Sequence, residues 1–149
     1  MTQPYIIRET DDFYPLSVLF NKSGLEVAIS ETPPENIIKM WRLDDPETGA
    51  LLGAVTLQIR AGVYTLGDMA VEEIHRQQGL GKIMQQLVFD EAKQRGITEV
   101  WCTAKIPEYY EHCGWECMDW NTSPMIAVHC DTCQKRGKTC FPEIIRITL

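Results

Sequence analysis

The sequence predicts an α/β fold, one domain over residues 1–149 with a central mixed sheet flanked by helices. Three observations carry that expectation. The stretch "IIKMWRLDDPETGALLGAVTLQIRAGVYTLGDMAV", residues 37–71, reads as three strands joined by turns. From residue 80 to 95 the apolar period changes to steps of three and four, the signature of a helix. "TEVWCT" (98–103) then returns to a short apolar run of strand type. A strand, helix, strand order needs a crossover, and a crossover makes its two strands parallel.

The elements follow in order. "PYIIRET" (4–10) alternates and is β-branched enough for a first strand. In "DDFYPLSVLFNKSG", Asp11 or Asp12 can cap a helix, Gly24 can end it, and Pro15 is tolerated in its first turn. "ISETPPENI" is turn chemistry, because Pro33 and Pro34 exclude a regular helix there. "DDPETG" and "RAG" supply the turns between the next three strands. Leu80, Ile83, Met84, Leu87, Val88 and Ala92 mark the buried stripe of the long helix, and Gly96 stands where it stops. "PEYYEHCGW" reads as a short helix ending near Gly114. "WECMD", "PMIAVH" and "EIIRITL" read as further strands. No internal repeat, low-complexity tract or linker divides the chain.

Composition narrows the function. Hydrophobic content of 44% and charged content of 23% are those of a globular chain. A net charge of -7 argues against a nucleic-acid surface and is compatible with a cationic acceptor such as an amine. No apolar run approaches the roughly 18 residues of a membrane span. "MTQPYIIRETDD" lacks the basic start, apolar middle and cleavage site of a signal peptide. The expectation is a cytoplasmic protein with neither nucleic acid nor membrane as a partner.

The segment "HRQQGLGKIMQQL" (75–87) places a glycine-rich loop directly before the long helix. A helix start offers unpaired N–H groups and the positive end of a dipole, so this arrangement suits phosphate. Arg76 and Lys82 add positive charge. A P-loop would need Gly where Arg76 stands and Ser or Thr where Ile83 stands. A dinucleotide fingerprint would need a third Gly where Met84 stands. Both fail.

What remains, R-Q-Q-G-L-G from Arg76 to Gly81, resembles the coenzyme A loop of the GNAT superfamily of N-acetyltransferases, R/Q-x-x-G-x-G/A. "YYEHCGWE" is similar to the superfamily's F-Y-x-x-x-G-F segment, with Tyr109 at the Phe, Tyr110 at the Tyr and Trp115 at the final Phe. The resemblance spans essentially the whole chain, most clearly residues 64–118. It implies a splayed sheet into which the pantetheine arm of acetyl-CoA inserts, pairing with the backbone of Met69, Ala70 and Val71. It also implies a pyrophosphate held by the N–H groups of Gln77, Gln78, Gly79, Leu80, Gly81 and Lys82. Gly67 is consistent with the bulge that starts such a splay.

Acetyl transfer to an amine needs the ammonium deprotonated, the oxyanion stabilised and the leaving thiolate protonated. The resemblance gives Tyr110 the last role, and an ordinary phenol pKa of about 10 suits it. Tyr109 is then the packing partner. The N–H of Met69 or Val71 would serve the oxyanion. No base is assigned. Thr65 and Gly67, the inward positions before the loop, cannot take a proton, and alternation puts Asp68 on the face opposite Thr65. Glu72, Glu73, Glu26, Glu31 and Glu35 read as solvated carboxylates.

"HCDTCQKRGKTCF" spaces Cys130, Cys133 and Cys140 as C-x2-C-x6-C beside His129. The first pair has zinc-knuckle spacing, but no second pair follows, and adjacent residues such as His129 and Cys130 seldom share one metal. A remote ligand, Cys117 or His112, would complete a set. Thiols or a reversible Cys130–Cys133 disulfide are favoured over zinc. Lys135, Arg136 and Lys138 fit a solvated basic turn or, if the 129–140 loop borders the acceptor, a contact to an anionic group. Cys102 and Cys113 fit the core.

The expected function is transfer of an acetyl group from acetyl-CoA to a primary amine, on a small molecule or a peptide. The alternatives are an acyl-CoA-binding sensor without turnover and a metal- or redox-switched module. A homodimer is compatible with the resemblance.

Overall fold

A computed structural model describes residues 5–25, 27–76, 78–104, 107–119, 121–124, 126 and 143–149. The described strands are β1 (Ile6–Glu9), β2 (Ile37–Asp44), β3 (Leu51–Arg60), β4 (Val63–Val71), β5 (Glu99–Ala104), β6 (Glu116–Met118) and β7 (Glu143–Thr148). The helices are α1 (Phe13–Lys22), α2 (Leu80–Gln94) and α3 (Pro107–Glu111), with a 3₁₀ turn at Glu73–His75. The strands form one sheet in the order β1-β2-β3-β4-β5-β7-β6. β1, β2 and β3 are antiparallel, whereas β4 and β5, joined through α2, are parallel with Thr65 opposite Trp101. The mixed sheet expected from the crossover is what forms.

The chain makes two compact units, Met1–Gln58 with Leu66–Val88, and Ile59–Thr65 with Phe89–Leu149. In the first, Phe13, Leu16 and Phe20 recur at steps of three and four along α1. They are buried with Leu19, Met40, Ala54 and Ala70. Pro15 lies in the first turn, as it must. The helix stops at Gly24, where Gly24 N–H donates to Asn21 O and Leu25 N–H to Phe20 O, both 3.1 Å. These two bonds are the Schellman ending that a Gly after a helix predicts. Arg42 Nε (2.7 Å) and Arg8 Nε (3.4 Å) meet the buried Asp44, holding the end of β2 against β1.

In the second unit, β7 lies between β5 and β6 and is antiparallel to both, with Cys102 and Cys117 each opposite Ile145. Trp101, Ile126 and Ile144 form its core beside Val63 and Met118. The end of α2 repeats the first ending, with Gly96 N–H to Lys93 O (3.0 Å) and Ile97 N–H to Ala92 O (2.9 Å). The expected strand "PMIAVH" falls largely outside the described residues.

Candidate functional site

The loop before α2 is anchored at both of its ends. At the end of β4, Glu72 N–H donates to Leu52 O (2.8 Å), and the Glu72 carboxylate meets Lys22 Nζ of α1 (2.6 Å). Arg76 Nε donates to Val71 O (3.1 Å), folding the exposed Arg76 back onto the strand. At the far end Leu80 is buried and fixes the first residue of the helix.

Gly79 has φ +80, which only glycine adopts without strain, and a Cβ there would meet nothing within 4 Å. Its carbonyl accepts Ile83 N–H (3.4 Å), so the helix begins immediately after it. The N–H groups of Leu80, Gly81 and Lys82 therefore have no carbonyl of their own helix to bond. Around them Gln78, Gly79 and Lys82 are exposed and Gly81 half-buried. Gln77 lies outside the described residues. Fixed donors, two nearby cations and open space suit a pyrophosphate. Of the strand residues expected along the pantetheine, Ala70 is buried and Met69 and Val71 half-buried.

Beginning at Asp68, the residue before Met69, is a polar network that sequence reasoning missed. Thr56 and Gln58 on β3 are buried, at 0% and 1% exposure, in a strand whose other buried side chains are apolar. Gln58 Nε2 donates to Thr56 Oγ1 (2.8 Å) and to Asp68 Oδ2 (3.1 Å), and Gln58 Oε1 accepts from Asn36 Nδ2 (3.2 Å). The Asp68 N–H donates to Thr56 Oγ1 (3.0 Å), a hydroxyl where a carbonyl is the usual ladder acceptor. A Cβ on Gly67 would fall upon the Gln58 amide. β2 is also irregular at this level, with a register shift between Ile37 and Lys39 opposite Gln58 and Leu57. These are ladder irregularities of the bulge kind, which re-aim side chains.

One expectation is corrected here. Strict alternation would turn the Asp68 carboxylate away from the face of its inward neighbour Gly67. Instead, the amide that occupies Gly67's missing side-chain space also holds Asp68 Oδ2. The detectable signal was two polar residues two apart, Thr56 and Gln58, in an apolar strand. Of the other carboxylates considered as bases, Glu31, Glu35 and Glu73 are exposed and Glu72 is engaged by Lys22. Glu26 lies outside the described residues.

In the second unit, Tyr110 is the deeper of the paired tyrosines. Its ring stands edge-on to Tyr109 (5.1 Å, 81°) and to the buried Trp115 (5.8 Å, 83°). Its carbonyl accepts the N–H of Cys113 (2.9 Å) and of Trp115 (3.1 Å), closing the turn after α3. Burial, then the neighbouring Cys102, Tyr109 and Cys113, push the Tyr110 phenol well above its ordinary range. The hydroxyl is thus held protonated. On β5, Thr103 Oγ1 is buried without a hydrogen-bond partner among the described residues.

Among the described residues no three His, Cys, Asp or Glu side chains converge as a metal site. His129, Cys130, Cys133, Lys135, Arg136, Lys138 and Cys140 lie outside them. Cys102 is buried and Cys113 half-buried. Cys117 is exposed with its thiol 3.0 Å from Glu111 Oε1, and His112 is also exposed.

The family described as "Acetyltransferase (GNAT) family" matches residues 4–115. Among solved structures, the chain is similar to N-acetylglutamate synthase from Neisseria gonorrhoeae complexed with coenzyme A and N-acetyl-glutamate. There the identity is 19% and the TM-score 0.73, covering 100% of this chain and 36% of that one. It is similar to the ribosomal-protein-S18-alanine N-acetyltransferase from Escherichia coli at 16% identity and TM-score 0.66, covering 97% and 93%. It also resembles a GNAT-family acetyltransferase from Staphylococcus aureus Mu50 at 14% identity and TM-score 0.70, covering 97% and 99%. Likeness at such identities is one of fold. The chain spans about a third of the synthase chains it matches, 36% and 34%. No curated protein gives a significant match.

Proposed function

The chain belongs to the GNAT family of acetyltransferases, and on that footing we propose that it moves an acetyl group from acetyl-CoA to a primary amine by direct attack on the thioester. The observation that carries the proposal is the loop at Gly79, an open, positive-φ glycine that hands over directly to a helix with exposed cations beside it. In this reading the N–H groups from Gln77 to Lys82 hold the pyrophosphate, with Arg76 and Lys82 adding charge. The backbone of Met69, Ala70 and Val71 pairs with the pantetheine amides. The coenzyme supplies a thioester carbonyl, and the chain's own groups orient it and manage protons.

The N–H of Met69 or Val71 stabilises the oxyanion, and Tyr110 gives its phenolic proton to the departing sulfur. A buried phenol is a weak acid that stays loaded, so its proton moves as the carbon–sulfur bond breaks rather than before. Two relatives support an amino-acid or peptide amine as acceptor, one named for N-acetylglutamate synthesis and one for an alanine of a ribosomal protein. No described helix is long and apolar enough to cross a membrane. A single domain acting in the cytoplasm belongs to the same proposal.

Calorimetric titration of acetyl-CoA into the wild-type chain and Gly79→Trp tests the reading, with melting temperature as the control for folding. Micromolar binding lost in a folded variant is the expected result. A folded wild type that binds no acetyl-CoA would refute it.

A further inference from the structure

Glycine inside a strand weakens it, and a buried glycine there marks a close approach by something else. Gly53 on β3 is such a residue, enclosed between the buried Leu52 and Ala54. A Cβ added to it would stand 3.2 Å from Ala70 O and 3.3 Å from both Sδ and Cε of Met84. Real Cβ atoms are rarely so close, so an alanine would have to push these neighbours back by tenths of an ångström. Neither yields readily. The Ala70 carbonyl is backbone and moves only with β4. The Met84 side chain is wholly buried, so close packing hems it in. β3 is also irregular here, pairing Gly53 with Leu43 but Leu51 with Asp44, which leaves Leu52 as an extra residue. The Leu52 carbonyl accepts the N–H of Glu72, just past the end of β4 (2.8 Å).

The two neighbours of Gly53 belong to the two elements that flank the loop at Gly79. Ala70 lies between Met69 and Val71 on β4, and Met84 stands one turn after Leu80 in α2. In the acetyl-CoA reading the strand residues pair with the pantetheine arm, and the start of the helix holds the phosphates. Gly53 lies against the supports of both. We propose that Gly53 is a positioning residue for the coenzyme, fixing the separation between the strand that takes the arm and the helix start that takes the phosphates. The proposal rests on the acetyl-CoA reading and deepens it. A ligand made of two linked halves gains from the link only when its two half-sites are correctly spaced. A shift of tenths of an ångström would therefore weaken the whole ligand while leaving each half-site able to bind its own half.

The test compares three ligands on the full wild-type chain and on Gly53→Ala. Acetyl-CoA is titrated by calorimetry. Its two halves, S-acetylpantetheine and ribose-phosphorylated ADP, are titrated by NMR at millimolar concentration, with melting temperature as the control for folding. Gly53→Ala should weaken acetyl-CoA binding about fivefold or more and change each half by less than about twofold. A glycine needed only for the fold would weaken the halves as much as the whole, and that result would overturn the proposal. Unchanged acetyl-CoA affinity in the folded variant, or a wild type to which neither half binds, would overturn it too. Adding Met84→Val, which removes the obstructing Sδ and Cε, should restore part of the lost affinity, and no recovery would count against the proposal. If Gly53→Ala folds poorly alone, Met84→Val with and without it gives the same comparison. A folded wild type that binds no acetyl-CoA would remove the coenzyme reading and this proposal together, whereas failure in the variants alone leaves that reading standing.

Discussion

Gln58 lies in the space that a side chain at Gly67 would occupy, and the same amide reaches Asp68 of the next residue. The two strands are therefore fitted to each other at a point where neither could change alone. Buried polar groups held in this manner specify one register of β3 against β4, because a slip would leave the amide and hydroxyl unpaired.

Gly67→Ala should lower unfolding free energy by about 1–3 kcal/mol, the usual range for overpacking, as read by urea denaturation. Pairing it with Gln58→Ala should recover part of that loss, since the obstructing amide is then gone. A double-mutant cycle with no coupling between the two positions would mean that Gly67 matters for some other reason.

Tyr110→Phe should keep acetyl-CoA affinity and lower turnover on an amine by about tenfold or more, within the span of general acid catalysis. It also has a consequence for stability. The folded-state phenol is raised, so the unfolded chain loses its proton first as pH climbs through about 10. Stability conferred by the neutral phenol is complete below that pH and declines above it. Melting temperature against pH should therefore fall more steeply beyond pH 10 in wild type than in Tyr110→Phe. Parallel curves would contradict the buried, protonated hydroxyl.

Thr103→Val replaces a buried hydroxyl that has no partner among the described residues with a methyl of the same shape. The unliganded protein should lose nothing and gain up to about 1 kcal/mol. Marked destabilisation in thermal unfolding would reveal a hydrogen bond that the structure does not contain.

Lys82→Glu reverses an exposed charge on the first turn of α2. Acetyl-CoA affinity should drop about tenfold at low salt and differ less from wild type as salt rises. Unfolding free energy should move by less than about 0.5 kcal/mol, as for most surface changes. Equal affinities at low salt would place the phosphates elsewhere.

Periodicity and punctuation made much of the fold readable. The helix from Leu80 and the stops at Gly24 and Gly96 are local devices, each settled by a handful of neighbouring residues. The Gly79 loop was readable for the same reason. Asp68 was not, because a period-two pattern assumes an unbroken ladder, and the break at Gly67 depends on Gln58 and Thr56 from another strand. The raised pKa of the Tyr110 phenol was equally hidden. It arises from burial among Cys102, Tyr109 and Cys113, which meet only after β5 and α3 have packed.

The placement of β7 between β5 and β6 has a consequence for the order of events during synthesis. Both neighbours leave the ribosome before the strand that joins them. Until residues 143–148 follow, one edge of β5 has open amides and carbonyls, and β6 lacks its described ladder partner. Pairing Glu99 with Thr148 also means closing a long loop, which slows the last step. The nascent chain therefore passes through a stage with a sticky sheet margin. A stop codon ahead of Glu143 would make that stage permanent, and the product should accumulate as aggregate or as chaperone-bound chain rather than as a smaller folded protein.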